Sequence, residues 1–300
     1  MTDTSLDPGR FRQEFTHVRG FRQAFIREGL SGKPLLLVHG WPETSRIWWR
    51  NIEPLARAGF EVIVPDLRGH GSSEPGPDGH HDVPSHSRDL STLVTALGHR
   101  SVVALGGDLG GVVIQDMSAR YPGLIDRAIL FNTRLPYDKA SMAGLATRPP
   151  REVGDYYRRQ GLDADALVAE LRTRQERRDY IATFYGSRLW AHPGSFDQAA
   201  VDFMTEPFAD ARQLRAGFGF YESLLTNSRL SEPMQLPLPN PLPTMILFGA
   251  SDVVMYPEFD RMAAVVFPDH VGPFLLRDCG HFVQWEAASQ LNTAVTAWCS

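Results

Sequence analysis

From residue 34 to about 131, short apolar runs alternate with helical patterns: PLLLVHG, a helix over 47–58, FEVIVPD, a helix over 85–97, SVVALGG, a helix over 110–121, and IDRAILFN. A helix between successive strands is the crossover that a parallel pair requires, so the alternation predicts βαβ units and a parallel sheet. Ahead of it, FTHVRGFRQAFIREG predicts a two-stranded antiparallel lead-in turning near Gly20. The same grammar returns at the C-terminal end with TMILFGASD, a helix over 258–266, VGPFLLRDCGH and a closing helix over 283–298. Between the two stretches lies a text rich in Arg and Tyr, helical in period and without apolar strand runs. The chain therefore divides into a core of residues 1–134 and 233–300 and a helical insertion of residues 135–232. Its return linker is proline-rich, Pro233 to Pro243, and proline there stiffens the re-entry.

Composition narrows the classes. Three hundred residues, 43% apolar and 22% charged, are enough for a large buried core. A net charge of -5 gives no electrostatic footprint for nucleic acid or an anionic membrane. MTDTSLDPGRFRQEF has no apolar signal core, and no run approaches the length of a membrane span. Two cysteines, Cys279 and Cys299, make no disulfide framework and suit a reducing cytoplasm. The expected partner is a small-molecule substrate; monomer and homodimer are equally open.

Open parallel sheets place their ligand crevice at the carboxyl ends of the strands, so polar residues just after strands are the ones to collect. Here they are His39-Gly40-Trp41-Pro42, Asp66-Leu67-Arg68-Gly69-His70-Gly71-Ser72-Ser73, Gly106-Gly107-Asp108-Leu109-Gly110-Gly111, Gly249-Ala250-Ser251-Asp252 and Asp278-Cys279-Gly280-His281. A sharp strand-to-helix turn lifts its central side chain clear of the sheet and needs small neighbours on both sides. The glycine pairs around Asp108 fit that requirement. An aspartate is already ionised at neutral pH and displaces a leaving group at saturated carbon directly, giving an alkyl ester. That ester must then be hydrolysed, with His281 as the base, Asp252 holding its tautomer, and the backbone N–H groups of Trp41 and Leu109 facing the oxyanion.

In this order and spacing the motifs HGWP, DLRGHGSS, GGDLGG, GASD and DCGHF resemble the α/β-hydrolase superfamily, with Asp where esterases carry Ser. The resemblance covers nearly the whole chain. It implies an α/β fold, a mostly parallel central sheet flanked by helices, with a helical cap inserted after the sixth strand. It further implies the Asp-nucleophile branch of soluble epoxide hydrolases and of haloalkane and haloacetate dehalogenases, enzymes that use no cofactor and no metal. Within the insertion, Phe220-Tyr221-Glu222-Ser223 resembles the motif supplying a ring-opening tyrosine, and Gly154-Asp155-Tyr156-Tyr157-Arg158 sits where the second tyrosine lies, as Tyr156 or Tyr157. Many relatives in this branch carry Trp after the nucleophile, and fluoroacetate dehalogenases carry Arg. Leu109 departs from both and offers a halide or carboxylate no side-chain donor, which favours epoxide opening over dehalogenation. A binding protein on a retired hydrolase scaffold is the reading from another class, and the intact Asp108, Asp252 and His281 speak against it.

Other signals carry less. His70, His80, His81 and His86 lie in a Gly/Pro-rich loop without metal-ligand spacing. Leu105 breaks the register of a dinucleotide fingerprint around Gly107 and Gly110. The basic run 172–178 reads as a solvated helix face balanced by Glu170 and Glu176.

Overall fold

A computed structural model describes residues 6–148, 155–186, 188 and 190–299; Gly154 lies outside them. Among the described residues eight strands form one sheet: β1 Gln13–Val18, β2 Phe21–Glu28, β3 Lys33–Val38, β4 Phe60–Pro65, β5 Val102–Gly107, β6 Ile125–Thr133, β7 Thr244–Gly249 and β8 His270–Leu276. Their spatial order is β1-β2-β4-β3-β5-β6-β7-β8. β1 and β2 pair antiparallel, β2 runs antiparallel to β4, and every later pair is parallel. The lead-in and the parallel sheet predicted from the alternation are both present. β4 and β5 are buried along their whole length, as strands covered by helices on both faces must be.

The helices are α1 Ile52–Arg57, α2 Val83–Ala96, α3 Asp108–Arg120, α4 Asp155–Leu162, α5 Ala164–Glu170, α6 Arg174–Tyr185, α7 Gln198–Thr205, α8 Ala211–Leu225, α9 Phe259–Val266, α10 Val283–Glu286 and α11 Ala288–Cys299. α4 to α8 all fall between β6 and β7, so the helical insertion follows the sixth strand, and the proline-rich return to β7 is irregular.

Two predicted helices are divided. The stretch 47–58 splits into a 3-10 turn, Ser45–Trp48, and α1. Pro54 explains the break, because a proline is tolerated in the first turn of a helix but in its interior would clash with the carbonyl four residues back. The closing helix splits at Ala287 (φ -118°, ψ 35°) into α10 and α11, with Trp285 buried on one side and Leu291 and Val295 on the other. α3 begins two residues before the predicted start, at Asp108 itself.

Connectivity places the site. The chain passes from β3 to β4 on one side of it and then to β5 on the other, so strand order reverses between β3 and β5. A reversal leaves a crevice beyond the carboxyl ends of the two strands. Trp41 follows β3 and Asp108 follows β5, so both stand at its mouth.

Candidate active site

At the end of β5 the backbone turns into α3 through Asp108, whose φ of +44° is one an L-residue adopts only under constraint. The constraint is packing. A Cβ at Gly110 would strike the Val38 carbonyl, and one at Gly107 would overlap the Phe131 ring. Gly40 comes so close to the turn that a Cβ there would lie 2.6 Å from that of Asp108. The Thr133 hydroxyl donates to the Asp108 carbonyl at 2.6 Å and fixes the turn from β6.

The carboxylate, only 8% exposed, is held at one oxygen and faced by an imidazole at the other. Trp41 N–H donates to Oδ1 at 2.8 Å, and His281 Nε2 stands 3.4 Å from Oδ2. On the other side of the imidazole, Nδ1 lies 2.9 Å from Asp252 Oδ2, which puts its proton on Nδ1 and leaves Nε2 facing Asp108. Asp252 is fixed in turn by the amides of Val254 (2.6 Å) and Met255 (3.3 Å) at Oδ1. Burial alone would push His281 down, but Asp252 and Asp108 on either side outweigh it and hold the imidazole well above the usual histidine range. Leu109 is the second residue of α3, in the turn whose N–H groups have no carbonyl partner within the helix; its side chain is buried.

Both tyrosines singled out in the insertion are buried near this carboxylate. Tyr156 of α4 stacks parallel to Trp41 at 6.0 Å, and Tyr221 of α8 meets Trp41 edge-on at 5.3 Å and Tyr156 at 5.5 Å. Burial first, and Asp108 with it, raises both phenols far above the usual tyrosine range, so both remain protonated donors. Tyr157, by contrast, is 37% exposed. Gly161 sets the pairing of the two helices, since a Cβ there would lie 2.8 Å from the Tyr221 carbonyl.

Two further residues, neither among those collected from the sequence, complete the surround. Trp190 packs against the His281 ring at 5.0 Å and Tyr156 at 5.1 Å. It lies in an irregular stretch of the insertion, with no periodic or motif signal. Glu43 is 2% exposed, accepts from Gly40 N at 2.5 Å and Gln284 Nε2 at 2.9 Å, and is pushed up to about 8 by burial and then by Asp108. Its signal was available, since an acid directly after His39-Gly40-Trp41-Pro42 has to enter the crevice.

His39 joins the two loops below, its Nε2 accepting from Leu67 N at 3.0 Å while Nδ1 faces the Gly40 carbonyl. Burial lowers His39 to about 4, His70 to about 3 and His81 to about 4, and His86 well below its usual value. Among the described residues no three His, Cys, Asp or Glu side chains converge as metal ligands would. A cleft of about 770 Å³ opens between α8 and the loop 69–81, but Asp108 is not part of its lining.

Residues 33–288 match the family described as alpha/beta hydrolase fold. The chain belongs to that family. Among curated proteins, this alpha/beta hydrolase is similar to the epoxide hydrolase of Caballeronia sordidicola, 26% identical over 89% of this chain and 87% of that one. It is similar also to bifunctional epoxide hydrolase 2 of Sus scrofa, 24% identical over 98% of the chain, which spans 56% of that protein's length. A cis-3-alkyl-4-alkyloxetan-2-one decarboxylase of Shewanella oneidensis is 28% identical over 98% of the chain and 89% of its own. Among solved structures, the ligand-free epoxide hydrolase CorEH superposes with a TM-score of 0.82 at 23% identity, covering 97% of this chain and 99% of that one. The alpha/beta hydrolase fold read from the motifs is thus borne out, and the chain resembles epoxide hydrolases. No helix among the described residues is long and apolar enough to cross a membrane.

Proposed function

We propose that this hydrolase opens an epoxide to a vicinal diol through a covalent ester on Asp108. The observation that carries the reading is a carboxyl at the head of α3, facing His281 on one side and lying close to two buried, protonated phenols. Asp108 attacks an epoxide carbon; the C–O bond breaks, and the alkoxide takes a proton from Tyr221 or Tyr156. Alkylation removes the negative charge of Asp108, one of the causes keeping His281 protonated, so the imidazole gives up its proton, which returns to the tyrosinate, and stands neutral as the base that water needs. His281 then takes a proton from water as the water oxygen adds to the ester carbonyl. The oxyanion is held by Trp41 N–H and Leu109 N–H; collapse breaks the C–O bond to the diol, whose alkoxide takes the proton of the newly formed Asp108 carboxyl, so the diol leaves and Asp108 is again ionised beside a protonated His281. Residues 135–232 act as a cap over a core of 1–134 and 233–300. The substrate is a small molecule, the reaction needs no cofactor or metal, and two buried free thiols, Cys279 and Cys299, favour the cytoplasm.

His281→Gln tests the scheme. On exposure to an epoxide that the wild type turns over, intact mass should rise by one epoxide, mapped to the peptide containing Asp108. An unmodified variant refutes the two-step route.

One observation favours dehalogenation as a second reading: the buried indole N–H groups of Trp41 and Trp190 have no hydrogen-bond partner among the described residues, and a halide leaving group uses such donors. Against it stands Leu109, which adds no third donor. A panel of aryl, alkyl and cyclic epoxides, haloacetates, haloalkanes and a cis-3,4-dialkyl oxetan-2-one separates the readings by product.

A further inference from the structure

His281 is fixed through its backbone as well as through Asp252. Its own N–H donates to the Trp190 carbonyl at 2.8 Å, and the carbonyl of Gly280 accepts from Asn132 Nδ2 at 2.8 Å. The flanking amides converge on a single side chain. Glu286, at the end of α10 and half-buried, accepts from Gly280 N at 2.8 Å through Oε2 and from Phe282 N at 2.9 Å through Oε1. Oε2 also takes His192 N at 2.7 Å and the Ser195 hydroxyl at 3.1 Å, both in the helical insertion. Gly280 has no room for a side chain, since a Cβ would lie 2.5 Å from the Trp190 carbonyl and 2.6 Å from His192 N, so the strand of chain 190–192 runs flush across the histidine loop. One carboxylate thus ties the amides on either side of His281 to the segment that carries Trp190.

We propose that Glu286 is a positioning residue for His281, setting the imidazole for attack on the ester and making that step depend on the seating of segment 190–195. It touches neither substrate nor Asp108 and works through the loop 280–282. The inference rests on the two-step reading above. Because only hydrolysis of the ester uses His281 as a base, loss of Glu286 slows that step and spares alkylation. Four charge-assisted bonds to one side chain exceed what an ordinary surface acid makes, and a misplacement of about 1 Å in a catalytic group costs about 10² in rate.

Glu286→Ala and Glu286→Gln separate positioning from mere stability. Gln keeps an oxygen for Gly280, His192 and Ser195 and loses only the bond to Phe282, so it is the fold-preserving partner and serves as the rescue. With a terminal aryl epoxide under single-turnover conditions, Glu286→Ala should accumulate the Asp108 ester. Hydrolysis should slow about tenfold or more, with alkylation within about twofold of wild type, and Glu286→Gln should fall between. Equal slowing of both steps, or an unchanged hydrolysis step, overturns the proposal. A readout without substrate keeps it apart from the reaction assignment: NMR titration of the His281 ring in the free protein. The ring should titrate at lower pH in Glu286→Ala, as its seating between Asp252 and Asp108 loosens, and closer to wild type in Glu286→Gln. An unmoved titration in both variants overturns the positioning role even if no epoxide is a substrate. Absence of any covalent adduct in the wild type, with the titration shifted, discards the epoxide reading alone.

Discussion

At the scale of single residues, the site is distinguished by what sits beside one carboxylate. Tyr221→Phe removes a hydroxyl and almost no volume, so its effect reports proton donation. For an epoxide, formation of the alkyl-enzyme should slow by about 10², with residual rate from Tyr156 and a further fall in the double Phe variant. Halide departure needs no proton, so halide release from a haloacetate should be untouched; parallel losses on both substrates would show that the phenol is structural. Glu43 gives a pH prediction. Its folded carboxyl titrates at about 8 against an ordinary value of 4.5. Between those limits the folded state holds a proton that the unfolded chain has released. Its contribution to stability is therefore complete below pH 4.5 and lost as pH rises through 8, at up to about 1.4 kcal/mol per pH unit. Melting curves of Glu43→Gln should show a shallower alkaline decline than the wild type, and equal slopes would remove Glu43 from the account.

At the scale of elements, the insertion meets the core through glycines. On α8, Gly217 lies against the Trp41 indole, where a Cβ would come within 2.6 Å of Nε1, and Gly219 is equally close to His81 Cβ. Neither is a loop glycine; each is a place where a helix must approach without a side chain. Gly217→Ala should push α8 away from Trp41, costing about 1–3 kcal/mol and displacing Tyr221 from Asp108. The expected signature is a lower melting temperature together with slower alkylation. Loss of stability with unchanged alkylation would mean that α8 absorbs the methyl without moving Tyr221.

Across the whole molecule, ionisable groups buried under the site set the response to pH. His39, His70, His81 and His86 are all depressed by burial. For a depressed histidine the unfolded chain takes up the proton first, so stability is fully present above about pH 6.5 and falls as pH drops toward 3 to 4, by roughly 1.4 kcal/mol per pH unit for each. His281, raised by its two carboxylates, and Glu43 act in the opposite sense on the alkaline side. The melting temperature should peak near pH 6.5, about where these limbs cross. Calorimetry from pH 4 to 9 measures it, and His86→Leu, at a ring with neither nitrogen partnered among the described residues, should flatten the acid limb. A steepest acid loss unchanged by that substitution would assign acid unfolding to carboxylates instead.

The sequence by itself determined the strand and helix alternation, the position of the insertion, and the order in which Asp108, Asp252 and His281 follow their strands. Each of these is a local property: a run of apolar residues, a turn of glycines, a polar residue just past a strand. The resemblance of Phe220-Tyr221-Glu222-Ser223 to a family motif also pointed to Tyr221. Only the tertiary structure decided that Tyr156 turns toward Trp41 while Tyr157 faces outward, because adjacent residues on a helix differ in what packs against them and not in period. The same holds for Trp190 and Glu286, whose partners at the His281 loop are made by chain closure between the insertion and the C-terminal segment. The helix predicted over 47–58 is divided just ahead of Pro54, and the one over 283–298 breaks at Ala287, where Trp285 and Leu291 are buried on separate pieces. Periodicity records which face of an element is apolar; what that face meets, and which polar atoms close around a histidine, depends on contacts between residues far apart in the chain, and those exist only once it has folded.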